Sequence, residues 1–217
     1  MVKKSIYFVF MLAFLSCNLS AGEKANTKIQ LQNTKLMNGL ELATFGNGCF
    51  WCTEAIFEQL EGVTKVESGY AGGDVKNPSY KEVCTGNTGH AEVIRLTFDP
   101  EVISYRELLD VFFNTHDPTT LNRQGADVGT QYRSAIFYHN ETQKIEAEKM
   151  IADLKNENVF DDTIVTEITE INNYFVADNY HQDYYNNNKN EGYCRMVINP
   201  KLEKFIIKYK DKLKKDK

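Results

Sequence analysis

Leu40-Glu41-Leu42-Ala43-Thr44-Phe45-Gly46-Asn47-Gly48-Cys49-Phe50-Trp51-Cys52 reads as a short apolar strand that passes through two glycines into a helix opening on a thiol. Residues 49–60 carry helical spacing, with Ala55, Ile56, Phe57 and Leu60 on the buried side. Residues 63–70 then alternate as a second strand. A strand, a helix and a strand in so short a space make a β-α-β unit, and that unit sets the reading of everything after it.

Ala71-Gly72-Gly73-Asp74 and Asn77-Pro78 mark a long turn, and residues 80–89 read as an irregular connection. Residues 92–99 are an alternating strand, with Val93, Arg95 and Thr97 on one side and Ile94, Leu96 and Phe98 on the other. Pro100 and Ser104 lead into a helix over 105–114, a loop runs from Asp117 to residue 131, and a strand follows over 132–139. The order β-α-β-β-α-β from 40 to 139 is that of a ferredoxin-like α+β sandwich. Beyond it lie a periodic helix over 141–156, a short strand over 164–168, and an irregular, aromatic, helix-containing extension that ends in a Pro200-led helix.

The chain has 217 residues, a length that suits one domain. Lys3 and Lys4, the apolar run 6–15 and Ser16-Cys17 have the layout of an export signal over residues 1–21, too short for a membrane span. Cleavage fits after Ala21. Alternatively Phe14-Leu15-Ser16-Cys17 resembles a lipobox, which makes Cys17 a candidate lipid anchor. Residues 22–39 read as a flexible spacer, and 40–217 as one catalytic domain with no second domain fused to it. Removing residues 1–16 takes away two lysines and no acid, moving the formal charge from -5 to -7. No basic stripe remains to hold a nucleic acid, and the Lys-rich tail 208–217 is interrupted by Asp211 and Asp216.

Cys49 and Cys52 flank the only tryptophan, Trp51. A cysteine at a helix N-terminus meets free N–H groups and the positive end of the peptide dipoles, so its thiolate is favoured. Phe50 and Trp51 give it an apolar wall. The bland alternative is half a zinc site, but no second CxxC is present and the four histidines show no ligand spacing. Glu92 opens an otherwise apolar strand, where desolvation raises a carboxyl's pKa and keeps a proton for donation. Tyr80 and Tyr132 are candidate hydroxyl donors, Asp127 begins a polar loop, and Cys84 reads as a small buried residue.

Gly48-Cys49-Phe50-Trp51, Gly89-His90-Ala91-Glu92 and Gly129-Thr130-Gln131-Tyr132-Arg133-Ser134, with Tyr193-Cys194-Arg195 and Pro200-Lys201, resemble the peptide methionine sulfoxide reductases of the A type. The resemblance spans residues 40–207. It implies reduction of the S epimer of methionine sulfoxide, free or in proteins, with Cys49 as nucleophile and Glu92 as the acid at the sulfoxide oxygen. Tyr80 and Tyr132 would bind that oxygen, Asp127 would be linked to the site through water, and Phe50 and Trp51 would hold the S-methyl group. It implies no metal or organic cofactor, a thioredoxin-like dithiol reductant, and a monomer. Many relatives carry glycine at the position of Cys52 and resolve the sulfenic acid with C-terminal cysteines. Here Cys52 lies one helical turn from Cys49 and is favoured as the resolving thiol, with Cys194, next to a mobile-looking segment, as its competitor. The rival reading is a thiol-disulfide oxidoreductase working through Cys49 and Cys52. A non-enzymatic rival is a lipoprotein that binds metal or a partner through its aromatic loops. The leader places the protein in the periplasm or envelope, where reductant would arrive through a membrane electron relay.

Overall fold

The computed structural model describes residues 39–215. The leader assigned to 1–21, its Cys17 and nearly all of the spacer lie outside the described residues. The chain runs through β1 (Glu41–Asn47), α1 (Phe50–Phe57), β2 (Val63–Ala71), α2 (Tyr80–Cys84), β3 (Ala91–Phe98) and α3 (Tyr105–Thr115). A small hairpin of β4 (Arg123–Gln124) and β5 (Asp127–Val128) precedes β6 (Ser134–Tyr138), α4 (Glu141–Asn156) and β7 (Glu167–Glu170). The last part holds β8 (Phe175–Val176), α5 (Tyr184–Asn187), a π-helical turn Cys194–Ile198 and α6 (Asn199–Tyr209).

The main sheet has the order β7-β6-β1-β3-β2-β8. Its middle four strands, β6-β1-β3-β2, are antiparallel neighbours, the arrangement expected of the ferredoxin-like sandwich. β8 extends one edge antiparallel to β2, and β7 extends the other parallel to β6. Strand alternation divides the side chains as the sequence implies. Ala43, Phe45, Ile94, Leu96, Phe98 and Ile136 face the helices, while Ala91, Val93, Ala135 and Phe137 face the other way beneath Ile171 and Tyr174. Glu92 shares its parity with Ile94 and Leu96, so the strand delivers a carboxyl to the helical side.

α1 is buried at seven of its eight positions, because β2 lies against one side and α5, the π turn and α6 cover another. An apolar stripe alone does not describe it; a helix apolar nearly all round belongs inside. It stops at Phe57, short of the expected residue 60, where Leu60 bridges to Leu213.

Three expectations need correction. Residues 80–89 are not wholly irregular, since Ser79 and Glu82 form a capping box that starts α2: the Glu82 carboxylate accepts from Ser79 N–H at 2.8 Å, and Ser79 Oγ accepts from Glu82 N–H at 3.4 Å. The same device at Ser104 and Glu107 starts α3. The loop after Asp117 contains the β4–β5 hairpin. The strand expected over 164–168 forms at Glu167–Glu170, where the Arg133 guanidinium meets the Glu167 carboxylate at 3.0 Å and Ala135 pairs with Glu167.

The turn before α2 is pressed against the start of β3. His90 is buried; its Nδ1 accepts from Gly73 N–H at 3.0 Å, so Nε2 carries the proton and donates to Val75 C=O at 2.7 Å. A Cβ on Gly73 would lie 2.3 Å from the Thr88 carbonyl oxygen and 2.4 Å from the His90 nitrogen, both backbone atoms that cannot swing aside. Gly73→Ala should therefore destabilise the protein by about 3 kcal/mol in urea denaturation. It should also lower activity, because the displaced segment leads directly to Glu92; unchanged stability would contradict this account.

Candidate active site

Gly48 turns the chain from β1 into α1 at φ +96, and a Cβ there would meet Gln124 side-chain atoms at 2.7 Å. Cys49 follows as the N-cap residue, its carbonyl receiving the N–H groups of Cys52 and Thr53. The first helical N–H, that of Phe50, goes to Glu92 Oε2 at 3.1 Å. The helix start is thus occupied by the carboxyl of β3. This corrects the expectation that the helix N-terminus lowers the Cys49 thiol. Cys49 is only 7% exposed, and burial pushes its thiol well up, with Cys52 and Glu92 adding to the shift.

Glu92 is 1% exposed. Burial pushes its carboxyl up to about 8, against the pull of the Phe50 N–H, so it holds its proton at neutral pH. Tyr132 stands within electrostatic reach of Glu92, Cys49 and Asp127, and Tyr80 within reach of Glu92 and Tyr132. Burial comes first for both; Cys84 and then Glu92 follow at Tyr80, and Glu92 follows at Tyr132, so both phenols stay protonated as hydrogen-bond donors. Tyr70 lies opposite Glu92 in the β2–β3 register, with its hydroxyl buried and unpartnered.

The apolar wall is larger than Phe50 and Trp51. Trp51 stacks on Tyr184 with ring centres 3.7 Å apart and planes at 9°, and meets Tyr193 edge-on at 5.8 Å. Its indole N–H donates to His181 Nδ1 at 3.1 Å, while His181 packs on Phe50 at 5.1 Å and Tyr80 at 4.5 Å. Burial holds His181 below its usual pKa, so it is the neutral ring that this acceptor role requires.

Cys52 sits one turn on, 4% exposed, and Tyr193 Oη lies 3.9 Å from its sulfur. The Tyr193 hydroxyl donates to Asp127 Oδ2 at 3.0 Å, which joins the polar loop to the Cys52 side of the site. The adjacent Cys49 thiol and Lys201 lower the Cys52 thiol against the effect of its burial. Cys194, expected beside a mobile segment, is fully buried in the π turn. Cys84, expected to be buried, is exposed: α2 is a single surface turn that buries only Val83. Tyr184 and His181 are the site residues that the sequence did not single out, and Tyr193 was named only within the motif Tyr193-Cys194-Arg195, with no role of its own. The signal for the first two was the density of aromatic residues over 174–193.

The family profile described as peptide methionine sulfoxide reductase matches residues 41–214. The chain belongs to that family. It is 56% identical over 183 residues to the peptide methionine sulfoxide reductase MsrA of Deinococcus radiodurans, covering 84% of this chain and 89% of that one. It is 53% identical over 175 residues to the MsrA of Saccharolobus solfataricus, covering 81% of this chain and 98% of that one. Among solved structures it resembles reduced Mxr1 of Saccharomyces cerevisiae, with TM-score 0.67 and 39% identity over 71% of this chain and 89% of that one. It also resembles the methionine sulfoxide reductase A of Corynebacterium diphtheriae, with TM-score 0.62 and 34% identity over 71% of this chain and 77% of that one.

The buried acid sets a pH signature. Activity should fall as pH rises through about 8, where Glu92 gives up its proton. Glu92→Gln should lose that limb and reduce kcat by about 10²–10⁴-fold. The same raised pKa makes the stability contributed by Glu92 fully present below 4.5 and lost as pH climbs through about 8. Glu92→Gln should accordingly gain in melting temperature relative to wild type between pH 5 and pH 9, and a constant difference would contradict the raised pKa.

Proposed function

We propose that this chain reduces the S epimer of methionine sulfoxide to methionine, with Cys49 as nucleophile and Glu92 as proton donor. The observation that carries the reading is the buried, protonated Glu92 on the Phe50 N–H, immediately beside the Cys49 thiol. A sulfoxide oxygen is a poor leaving group until it is protonated, so thiolate and acid must stand together. Against the rival thiol-disulfide oxidoreductase stands the pair Phe50-Trp51 between the two cysteines, where a Gly-Pro or Pro-His pair would be expected.

The Phe50, Trp51 and Tyr184 surfaces suit the S-methyl group, and the Tyr80 and Tyr132 hydroxyls suit the oxygen. The Cys49 sulfur attacks the substrate as its thiol gives up its proton; oxygen passes to Cys49 with the proton from Glu92, which the thiol proton replaces, giving a cysteine sulfenic acid and the thioether. Two electrons leave Cys49. Attack by the Cys52 thiol then forms the Cys49–Cys52 disulfide and releases water. Lys201, which favours charge on Cys52, supports that assignment over Cys194. An external thioredoxin-like dithiol restores both thiols by exchange. The roles of Asp127 and Tyr193 would be to hold the hydroxyl beside Cys52.

The export reading of residues 1–21, with Cys17 as a lipid anchor or simple cleavage after Ala21, gives an envelope repair enzyme working as a monomer. It would be fed with electrons across the inner membrane. Three measurements test these proposals. Wild type with dithiothreitol should consume only the S epimer of a methionine sulfoxide peptide, and Cys49→Ser neither; survival of both epimers with wild type would sink the reading. With a thioredoxin, Cys52→Ser should make about one methionine per enzyme and stop, while Cys194→Ser turns over. The reverse pattern would transfer the resolving role to Cys194. Cell fractionation of the full chain against Cys17→Ala reads the anchor directly.

A further inference from the structure

Glu54 is a second buried carboxyl that the chemistry above leaves unused. It lies on α1 at 3% exposure, three residues beyond Trp51 and therefore on the same helical face. Its Oε2 accepts the backbone N–H of Tyr184 at 3.3 Å, and the neighbouring N–H of Asp183 also points to the carboxylate. Asp183 holds φ +51, the left-handed region that non-glycine residues rarely adopt, and this bend lets two successive N–H groups face one acceptor. The same Tyr184 is the ring stacked on Trp51 at 3.7 Å. One helix therefore carries both the indole of the substrate wall and the group that fastens the opposing ring to it.

We infer that Glu54 is a positioning residue for the methionine side chain: by gripping the Asp183–Tyr184 backbone it holds Tyr184 flat on Trp51 and so shapes the apolar slot. The inference rests on the proposed substrate for its kinetic effect, though not for its structural one. Burying a carboxylate is costly, and burial pushes Glu54 up to about 7 despite its two backbone donors. Glu58, which caps the end of the same helix, and Asp183 raise it further. A cavity of about 260 Å³ beside it is lined by Glu58, Lys65, Asp183 and Lys214. A packing role alone would be filled at lower cost by an apolar residue; what the carboxylate adds is acceptance of those two N–H groups.

The single tryptophan makes the arrangement directly readable, because all indole fluorescence comes from Trp51. In the full chain, Glu54→Ala should shift the emission to the red and raise acrylamide quenching about twofold or more as the stacked ring departs. KM for the S-epimer peptide should rise about tenfold, with kcat within about twofold. Glu54→Gln keeps an acceptor oxygen and should recover most of both effects. Glu54→Asp retains the charge on a stem too short to reach and should behave as Glu54→Ala does, and it serves if the alanine variant fails to fold. Adding Tyr184→Leu to Glu54→Asp should then cost little more than either change alone. Unchanged emission and KM in both shortened variants would overturn the inference. If emission responds and no epimer is consumed by the wild type, the clamp stands and the substrate assignment falls.

Discussion

The hydrogen bond from the Phe50 N–H to the Glu92 carboxyl is the contact on which the site depends. It ties the first peptide of α1 to the first turn of sheet in β3, and so fixes the distance between thiol and acid. A helix start left unsatisfied inside a protein costs free energy, and so does a carboxyl removed from water. Joined, each relieves part of the other's penalty. Enough of the carboxyl's penalty remains to keep it protonated, and that residue of cost is the property the chemistry draws on.

The β-α-β-β-α-β frame follows from local pattern. Alternation in Val93 to Phe98 placed each side chain on its proper face, and the Ser104-to-Glu107 capping box marks the start of α3 within a residue. Pattern failed where partners are distant. β7 is positioned by Arg133 and by pairing with β6, neither visible in its own residues, so its expected place was three residues early. α2 was a missed local signal, since Ser79-Tyr80-Lys81-Glu82 carries the same capping box.

The site was legible in unequal parts. Cys49, Glu92, Tyr80, Tyr132 and Asp127 come from four separated segments, and the fold brings them together. Trp51 pointed to an apolar wall, but its partners Tyr184, His181 and Tyr193 lie more than 120 residues away among many other aromatics. The protonation of Cys49 was misjudged for a physical reason. A helix N-terminus stabilises a thiolate only if its N–H groups point at the sulfur, and here the first of them is taken.

Burial of Cys49 has a further consequence for survival in oxidant. The conditions that create sulfoxides also contain peroxide, which carries a sulfenic acid irreversibly to sulfinic and sulfonic acids. At 7% exposure, walled by Phe50 and Trp51 and with Cys52 one turn away, the oxidised sulfur meets a neighbouring thiol sooner than a second oxidant molecule. Cys84, standing exposed on α2, has no such shelter, and it lies within electrostatic reach of Tyr80. Among the described cysteines, damage from outside would reach that surface thiol first, while the sheltered Cys49 stays reducible.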